Sequence, residues 1–392
     1  MASPPTTRPK RRWLTISLRA LVLLILVIAV WLGYVTNRAR RQAEAVAALT
    51  SRRSWARFDY EYPGGTPAGQ RMIRNAQPHG PAWLRRLVGD EYFREVVLVS
   101  CYPSKPPVPP RTLSPQAKTP RPDDDLMRQI GWLSSLRSLS LHWLEVSDEG
   151  LAHLDGLNKL EQLGFNSCPN LTDDGLAHIQ RWKKLKTLSF QDCPFTDRGL
   201  AHVAKLSGLE TLSIASDRIT DAGLARLEAL TGLKHLVVHG PSITGDGLTH
   251  LAKLPHLEML NLTSDSITDD DLIRLSSFSN LNTLSLQGGL LTDEGLAHLK
   301  TMKSLRYLQL QPNQGQFTDR ALVHLQEMVD LKFLLVGDRR LSNTHFTDSA
   351  LVEMVKKLPR LEYLGLERSY MSSEALKQLG QERPSLKISR LR

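Results

Sequence analysis

Six of the twelve histidines hold one position of a repeating pattern, and this alignment is the feature of the chain that most directly suggests chemistry. Aligned imidazoles can bind a metal ion or respond to pH near neutrality. Each of the six precedes an apolar residue expected in a helix, and neighbouring helices pack about 8–10 Å apart. One ion binds its ligands at about 2 Å, so it cannot bridge two such helices. We therefore predict no metal site and interpret the histidines as a partly exposed helix flank: His153, His178, His202, His250, His298 and His324.

A second recurrent feature, a Ser or Thr that Asp follows in eight of ten copies, could be mistaken for a catalytic couple. A hydroxyl ahead of a helix accepts a hydrogen bond from an unpaired N–H of the first turn, worth about 1 kcal/mol. An Asp there suits the positive end of the helix. The apolar residue before each cap and the Leu five positions later form a hydrophobic staple. We therefore predict helix N-caps at Ser147, Thr172, Thr196, Thr220, Thr244, Thr268, Thr292, Thr318, Thr347 and Ser372.

The three cysteines are too few and too widely spaced for a disulfide framework or a zinc site. Cys168 and Cys193 hold equivalent positions in adjacent repeats, so a bridge between them is conceivable if the domain is exported. Buried thiols are the simpler expectation. The chain has no nucleophile elbow, zinc-protease, dinucleotide or phosphate-loop motif. The sequence thus predicts neither an enzyme nor a cofactor.

The element that positions these residues is a unit of about 24 residues, repeated ten times over 136–385. In one copy Leu212 and Ile214 alternate as in a strand. Further along, apolar residues from Leu224 to Leu230 recur every three positions, as in a helix. Each unit is therefore a strand, a turn and a helix. The copies begin at Leu136, Leu160, Leu185, Leu209, Leu233, Leu257, Leu281, Leu305, Leu331 and Leu361.

This pattern resembles the leucine-rich repeat family, in the subtype with Cys or Asn after the strand. The resemblance is carried by Leu160, Leu163, Phe165 and Cys168, by their copies at 185–193, and by helix entries such as 172–176. It implies an α/β solenoid shaped as a horseshoe, with parallel strands on the concave face and helices on the convex face. Strands about 4.8 Å apart stacked with helices about 8–10 Å apart bend the array in that direction.

The residues ahead of the repeats predict a membrane anchor and a cap. A basic tail (1–12) precedes a transmembrane helix (13–35), since about 20 apolar residues span a bilayer. A juxtamembrane helix (36–57) follows, and then an N-terminal cap (58–135). We expect strands at 58–62 and 96–99, helices at 81–93 and 124–133, and a Pro-rich insertion at 101–122. Residues 386–392 form an end strand. A cleaved signal peptide is the alternative to the anchor.

The net charge of +10 does not indicate a nucleic-acid surface. Residues 1–57 hold eleven basic residues and one acidic residue, so basic and acidic residues are balanced in 58–392. The excess charge flanks the apolar helix, where it suits anionic headgroups. Basic residues lie on both sides of that helix, so orientation is weakly specified. We expect a single-pass protein with a cytoplasmic N-terminus and exported repeats, resembling bacterial anchored repeat proteins.

The inner face of the last repeats departs from the uniform pattern and is our candidate binding surface. Tyr307, Phe333 and Tyr363 hold the first outward position of three consecutive strands, where early repeats carry small or polar residues. Exposed aromatic residues are favoured contacts for protein partners. The alternative is that the rings pack under the long loop after the strand of Phe333. Insertions at 314–316 and 339–344 lie on the neighbouring rim. Predicted contact residues are Tyr307, Gln309, Phe333, Leu335, Tyr363 and Glu367.

The sequence thus predicts a membrane-anchored protein that binds an unknown protein partner through its concave face. Two alternatives stay open. The repeat subtype also resembles the substrate arms of ubiquitin-ligase adaptors, although a membrane helix and a cap occupy the place of a docking module. The array could also be a structural spacer of the cell envelope without a dedicated ligand.

Overall fold

The computed structural model describes residues 18–52, 54–58, 61, 76–78, 82–92, 94–102, 123–313, 317–337, 346–367 and 371–391. Thirteen strands form one sheet whose spatial order is the chain order. The first two strands are antiparallel, and every later pair is parallel. The strands are β1 (Trp55–Phe58), β2 (Val96–Cys101), β3 (Ser138–His142), β4 (Gln162–Asn166), β5 (Thr187–Gln191), β6 (Thr211–Ala215), β7 (His235–His239), β8 (Met259–Thr263), β9 (Thr283–Gln287), β10 (Tyr307–Gln311), β11 (Phe333–Val336), β12 (Tyr363–Glu367) and β13 (Lys387–Leu391).

Helices form the second layer, one after each repeat strand. A continuous cluster of buried apolar side chains, mostly the repeated leucines, fills the space between the layers. These two layers confirm the predicted α/β leucine-rich-repeat solenoid. The α-helices are α1 (Leu18–Ser51), α2 (Ala82–Val88), α3 (Asp124–Ile130), α4 (Asp148–Ala152), α5 (Asp197–Val203), α6 (Asp221–Arg226), α7 (Gly245–Leu251), α8 (Asp269–Leu275), α9 (Asp293–Leu299), α10 (Asp319–Leu325), α11 (Asp348–Lys357) and α12 (Ser373–Glu382), with 3-10 helices at Asp90–Tyr92, Gly175–Arg181 and Leu227–Ala229.

Helix α1 runs without a break through the described part of the expected transmembrane segment and into the expected juxtamembrane helix. It ends at Ser51 and not at 57, because the chain pairs as strand β1 from Trp55. Its first part is exposed, whereas from Ala39 onward one side is buried, with Ala45 and Leu49 fully inaccessible. By length and composition α1 could cross a membrane, and a signal sequence would share these properties. The second half of α1 is therefore part of the cap, and the first half projects from it.

The strand expected at 58–62 lies earlier, because β1 pairs with β2 from Trp55, opposite Ser100, to Phe58. The structure places β2 over the expected 96–99 and α3 within 124–133. A helix and a 3-10 helix occupy the expected 81–93. Residues 103–122 of the Pro-rich insertion and the two rim insertions lie outside the described residues.

A ladder of Asp carboxylates connects each repeat to the next. The cap hydroxyl of Thr220 accepts the N–H of Ala222 within its own helix, as predicted. Its own N–H and O–H then donate to Oδ1 and Oδ2 of Asp197, in the preceding repeat, at 2.9 and 2.6 Å. Seven further Asp residues bind the next cap through both oxygens: Asp124, Asp148, Asp173, Asp221, Asp269, Asp293 and Asp319.

This ladder explains the glycine in the first turn of most repeat helices. A Cβ at position 223 would lie 2.2 Å from Oδ1 of Asp197, so the carboxylate occupies the space of a side chain. The same contact exists at Gly150, Gly175, Gly199, Gly247 and Gly295. The last three repeats carry Ala there instead, at positions 321, 350 and 375. Asp293 and Asp319 still bind the caps Thr318 and Thr347 through both oxygens, so the ladder continues where Ala replaces the glycine.

One repeat exchanges the two residue types. Gly245 stands directly after the cap Thr244, where the ladder Asp is expected. In the following repeat, Asp271 stands at the first-turn position that is Gly in most other repeats. Asp271 accepts the N–H and O–H of Thr268 at 3.0 and 2.9 Å, so this cap is satisfied from within its own repeat. A Cβ at position 245 would lie 1.9 Å from Oδ1 of Asp271. One carboxylate therefore fits between neighbouring caps, and it can come from either side.

Replacing Asp197 by Ala should lower the free energy of unfolding by about 1–3 kcal/mol, because the Thr220 N–H and O–H lose their acceptor. Asp217→Ala, at an exposed carboxylate of the neighbouring repeat, should change it by less than about 0.5 kcal/mol. Urea denaturation followed by circular dichroism measures both. Equal midpoints for the two variants would rule out a stabilising ladder.

The exchanged pair allows a second prediction. Gly245→Asp alone should destabilise the protein, because two carboxylates would compete for one space. Asp271→Gly alone should destabilise it by removing the acceptor for Thr268. The double variant rebuilds the arrangement of the other repeats and should recover about 0.5–3 kcal/mol relative to the sum of the single effects. Additive single effects in a double-mutant cycle would contradict the proposed exchange.

Candidate functional site

The three predicted aromatic residues form one continuous stack on the inner face. The strand register places Tyr307 beside Phe333 and Phe333 beside Tyr363. Their ring centroids are 3.9 and 4.4 Å apart, with interplanar angles of 8° and 1°. All three side chains are half-buried. We call these residues the aromatic stack. The structure therefore brings together the residues that the sequence aligned.

The spacing within the aromatic stack supports a concave inner face. Adjacent strands lie about 4.8 Å apart, yet both centroid distances are shorter. Side chains converge in this way on the side toward which a sheet bends. Thr283 and Lys387 hold the same column on the flanking strands β9 and β13. The facing ring surfaces are used within the stack, which leaves ring edges and the outer faces of Tyr307 and Tyr363 for other contacts.

A chain of hydrogen bonds runs beside the stack along β10. The hydroxyl of Tyr307 donates to Oε1 of Gln309 at 3.4 Å, and Nε2 of Gln309 donates to Oε1 of Gln311 at 2.6 Å. Burial raises the pKa of Tyr307, and the nearby Tyr363 adds to this effect. The phenol therefore stays a neutral donor. The sequence indicated Gln309 but missed Gln311, whose side chain is almost fully buried.

The other two predicted contact residues differ in position from the rings. Leu335 is on the inner face but only 7% exposed, and it packs beside Gly365 of the next strand. A Cβ at position 365 would lie 3.1 Å from Leu335 Cγ and from Tyr363 Cε1. Gly365 thus gives Leu335 room to support the stack from below. The backbone of Glu367 ends β12, and its side chain lies outside the described part of the structure.

A second aromatic group at the other end of the sheet was missed by the sequence reasoning. Tyr102 stacks on His142 with centroids 4.7 Å apart, and Trp143 lies 5.9 Å from His142. Burial lowers the pKa of His142. Trp143 is 43% exposed and has a φ of 53°, a conformation unfavourable for a bulky residue. Ser167 and Asp192 have the same conformation at the equivalent position of the next two repeats. A Trp where these repeats carry a small or polar residue was the sequence signal for the second aromatic group.

Three of the six histidines of the column, His178, His202 and His250, contact side chains of the preceding repeat. Nδ1 of His178 lies 2.9 Å from Asp155, and Nδ1 of His250 lies 2.5 Å from Glu228. Each carboxylate belongs to the preceding repeat. Among the described residues, no group of three His, Cys, Asp or Glu side chains is placed to hold a metal ion. These three histidines therefore connect adjacent repeats.

All three cysteines are buried and unbridged. Burial raises the pKa of Cys101. The hydrogen bond between Cys193 and Cys168 raises the pKa of Cys193. Cys101 and Cys193 are therefore thiols and not thiolates at neutral pH. The structure thus shows the simpler of the two expectations for Cys168 and Cys193.

The position shared by the two cysteines is buried in their repeats but exposed in the repeats of β6 and β8. Cys168 is buried and directs its thiol to the carbonyl of Leu141 in the preceding repeat. In the repeats of β6 and β8 the contact to the preceding repeat comes from the residue one position earlier: the hydroxyls of Ser216 and Ser264 donate to the carbonyls of Phe195 and Ile243 at 3.0 and 2.6 Å. Asp217 and Asp265 are exposed instead. The shift arises because the earlier repeats hold a left-handed residue ahead of the cysteine.

Comparison with protein-family models gives no match, and neither does comparison with curated proteins. Among solved structures, the chain is similar to an internalin (inlF) from Listeria monocytogenes, with 22% identity and a TM-score of 0.49. That similarity covers 67% of this chain and 69% of the internalin. A plant peptide hormone receptor, RGFR1 in complex with RGF2, matches with 13% identity and a TM-score of 0.35. It covers 61% of this chain and 42% of the receptor. The assignment of the fold rests on the strands and helices described above.

Proposed function

We propose that this chain is a membrane-anchored leucine-rich-repeat protein that binds a protein partner through the inner face of its last repeats. The observation that carries the proposal is the aromatic stack, which is half-buried on a face whose early repeats carry small or polar residues. Three rings held in register present a large contact area whose conformational entropy has already been lost. Such preorganised aromatic surfaces are favoured centres of protein interfaces.

The geometry of the stack defines what a partner must offer. Ring edges carry partial positive charge, so they favour carbonyl oxygens or the faces of other aromatic rings. Gln309 adds amide groups directly beside the rings. Lys387, exposed at the end of the column, adds a positive charge. A peptide segment with an aromatic residue and a nearby carboxylate would match these features.

Anchoring follows from α1. Its exposed residues include the run from Leu21 to Tyr34, which contains large apolar residues, one Ala and one Gly, and no charged residue. A soluble surface rarely exposes so much contiguous apolar area, and a bilayer would cover it. We infer a single-pass protein with its N-terminus in the cytoplasm and the repeats exported.

The stack can be tested with a photoreactive residue. Benzoylphenylalanine at position 333 of the full chain, expressed in its native cells, should give a discrete crosslinked product. The same residue at position 187, the equivalent inner-face site of β5, should not. Adding Tyr307→Ala and Tyr363→Ala should reduce the product at least about tenfold, because interface hot spots cost 2 kcal/mol or more when truncated.

Thr211→Ala with Thr283→Ala is the matched control, since both residues lie in the same column on other strands. It should leave the product unchanged. Thermal unfolding of all variants verifies that the fold is intact. A crosslink that survives loss of both tyrosines would refute the stack as the contact, and products from neither site would favour a structural spacer.

A further inference from the structure

The solenoid has two edges of opposite charge, although residues 58–392 are neutral overall. We call the loops from each helix to the following strand, between 131 and 386, the strand-start edge. These loops hold fourteen Lys and Arg residues but seven Asp and Glu residues. Five exposed lysines there make no ion pair with any described residue: Lys159, Lys183, Lys184, Lys205 and Lys303.

The opposite edge, where strands end and helices begin, is acidic. Each of the helices α3 to α12 has at least one Asp or Glu in its first turn. The carboxylate ladder and the helix dipoles account for this charge. They do not account for the lysines on the strand-start edge. Helix C-termini favour positive charge only within the last turn, and Lys159, Lys183 and Lys184 lie in loops beyond it.

Helix α1 emerges from the basic edge. Arg38 binds Glu95 at 2.7 Å and Ser135 at 3.2 Å, both in loops ahead of β2 and β3. At the other end of α1, Arg52 binds Asp123 at 2.5 Å, beside the strand-end edge. The helix thus runs parallel to the strands. Its exposed first twenty residues project about 30 Å past the strand-start edge.

The contact between Glu95 and Arg38 of α1 is an ion pair. Burial would raise the pKa of Glu95, but hydrogen bonds from Ser135 and Arg38, with the charges of Arg38 and Lys159, lower it. Glu95 is therefore ionised and holds α1 against the cap. The tie fixes the direction of the projecting helix relative to the lysines.

Aromatic residues surround the same exit. Helix α2 exposes Trp83 and the 3-10 helix exposes Tyr92, which are 68% and 36% accessible. The 3-10 helix packs against α1. Exposed Trp and Tyr beside Arg residues such as Arg86 are typical of the boundary between a bilayer and water.

We propose that the strand-start edge of the solenoid lies on the anionic lipid headgroups of the membrane that α1 enters. The inference rests on the membrane anchor of the proposed function and adds an orientation to it. Strands then stand away from the bilayer, the acidic edge faces water, and the array extends along the surface. The aromatic stack is held at a fixed height above the membrane and open from the side.

The full chain in lipid nanodiscs provides the test. One set of discs contains phosphatidylcholine alone, and the other also contains phosphatidylglycerol. Lysines are acetylated by a water-soluble reagent, and each site is quantified by mass spectrometry. Modification of Lys159 and Lys303 should be about fivefold slower in the anionic discs, the effect expected for a side chain at an anionic surface. Lys377, exposed on α12, should react equally in both.

Charge-reversal variants test whether the lysines of the strand-start edge cause this protection. Lys183→Glu, Lys184→Glu and Lys205→Glu together should abolish the protection of Lys159. The matched control reverses Arg198, Arg218 and Arg320, which are exposed near the opposite edge, and it should preserve the protection. The two variants change the net charge equally.

The outcomes separate the two proposals. Chain that washes out of neutral discs at high salt would refute the anchor and, with it, the orientation. Chain that stays in the discs with equal lysine reactivity in both lipids would refute the basic edge alone. Equal protection by soluble polyphosphate would assign the edge to an anionic polymer and overturn the lipid proposal.

Discussion

The structure depends on a hydrogen bond that leaves each repeat and ends on its neighbour. A carboxylate in the first turn of one helix accepts both the N–H and the O–H of the next cap. The cap is thereby satisfied on both sides, since its hydroxyl also accepts from its own helix. Except at Thr268, whose carboxylate is Asp271 of its own helix, no cap completes this arrangement within one repeat. The ladder therefore couples neighbours in the same way as the shared apolar core.

Much of the repeated sequence follows from this one bond. In most repeats the cap is Ser or Thr, the carboxylate follows it, and a glycine in the next first turn leaves space for the carboxylate. Gly245 and Asp271 show that the space and the carboxylate can be exchanged. The ladder occupies the strand-end edge and leucines fill the interior, and this bond does not determine the side chains of the inner face and the strand-start edge. The aromatic stack and the exposed lysines lie on those two surfaces.

The sequence predicted the solenoid, the caps and the alignment of the three rings, because each depends on spacing within one repeat or on one column across repeats. It did not reveal that the ladder Asp acts on the following repeat, since a bond between residues 23 positions apart leaves no local pattern. The exchange at Gly245 and Asp271 was the available clue. Burial of Leu335 was also missed, because it depends on Gly365 in the next strand. The basic strand-start edge was also missed, because the net charge of residues 58–392 is zero. Its relation to a membrane depends on the direction in which α1 leaves the solenoid, which the sequence does not give.

The central claim is that the carboxylate ladder holds the helix caps in place on an exposed edge of the molecule. Hydrogen exchange of the cap amides, measured residue by residue by mass spectrometry on the intact chain, tests it most directly. The account predicts that the amides of Thr196, Thr220 and Thr244 exchange as slowly as amides within the central strands. Exchange as fast as at the neighbouring exposed residues Asp217 and Arg218 would contradict it.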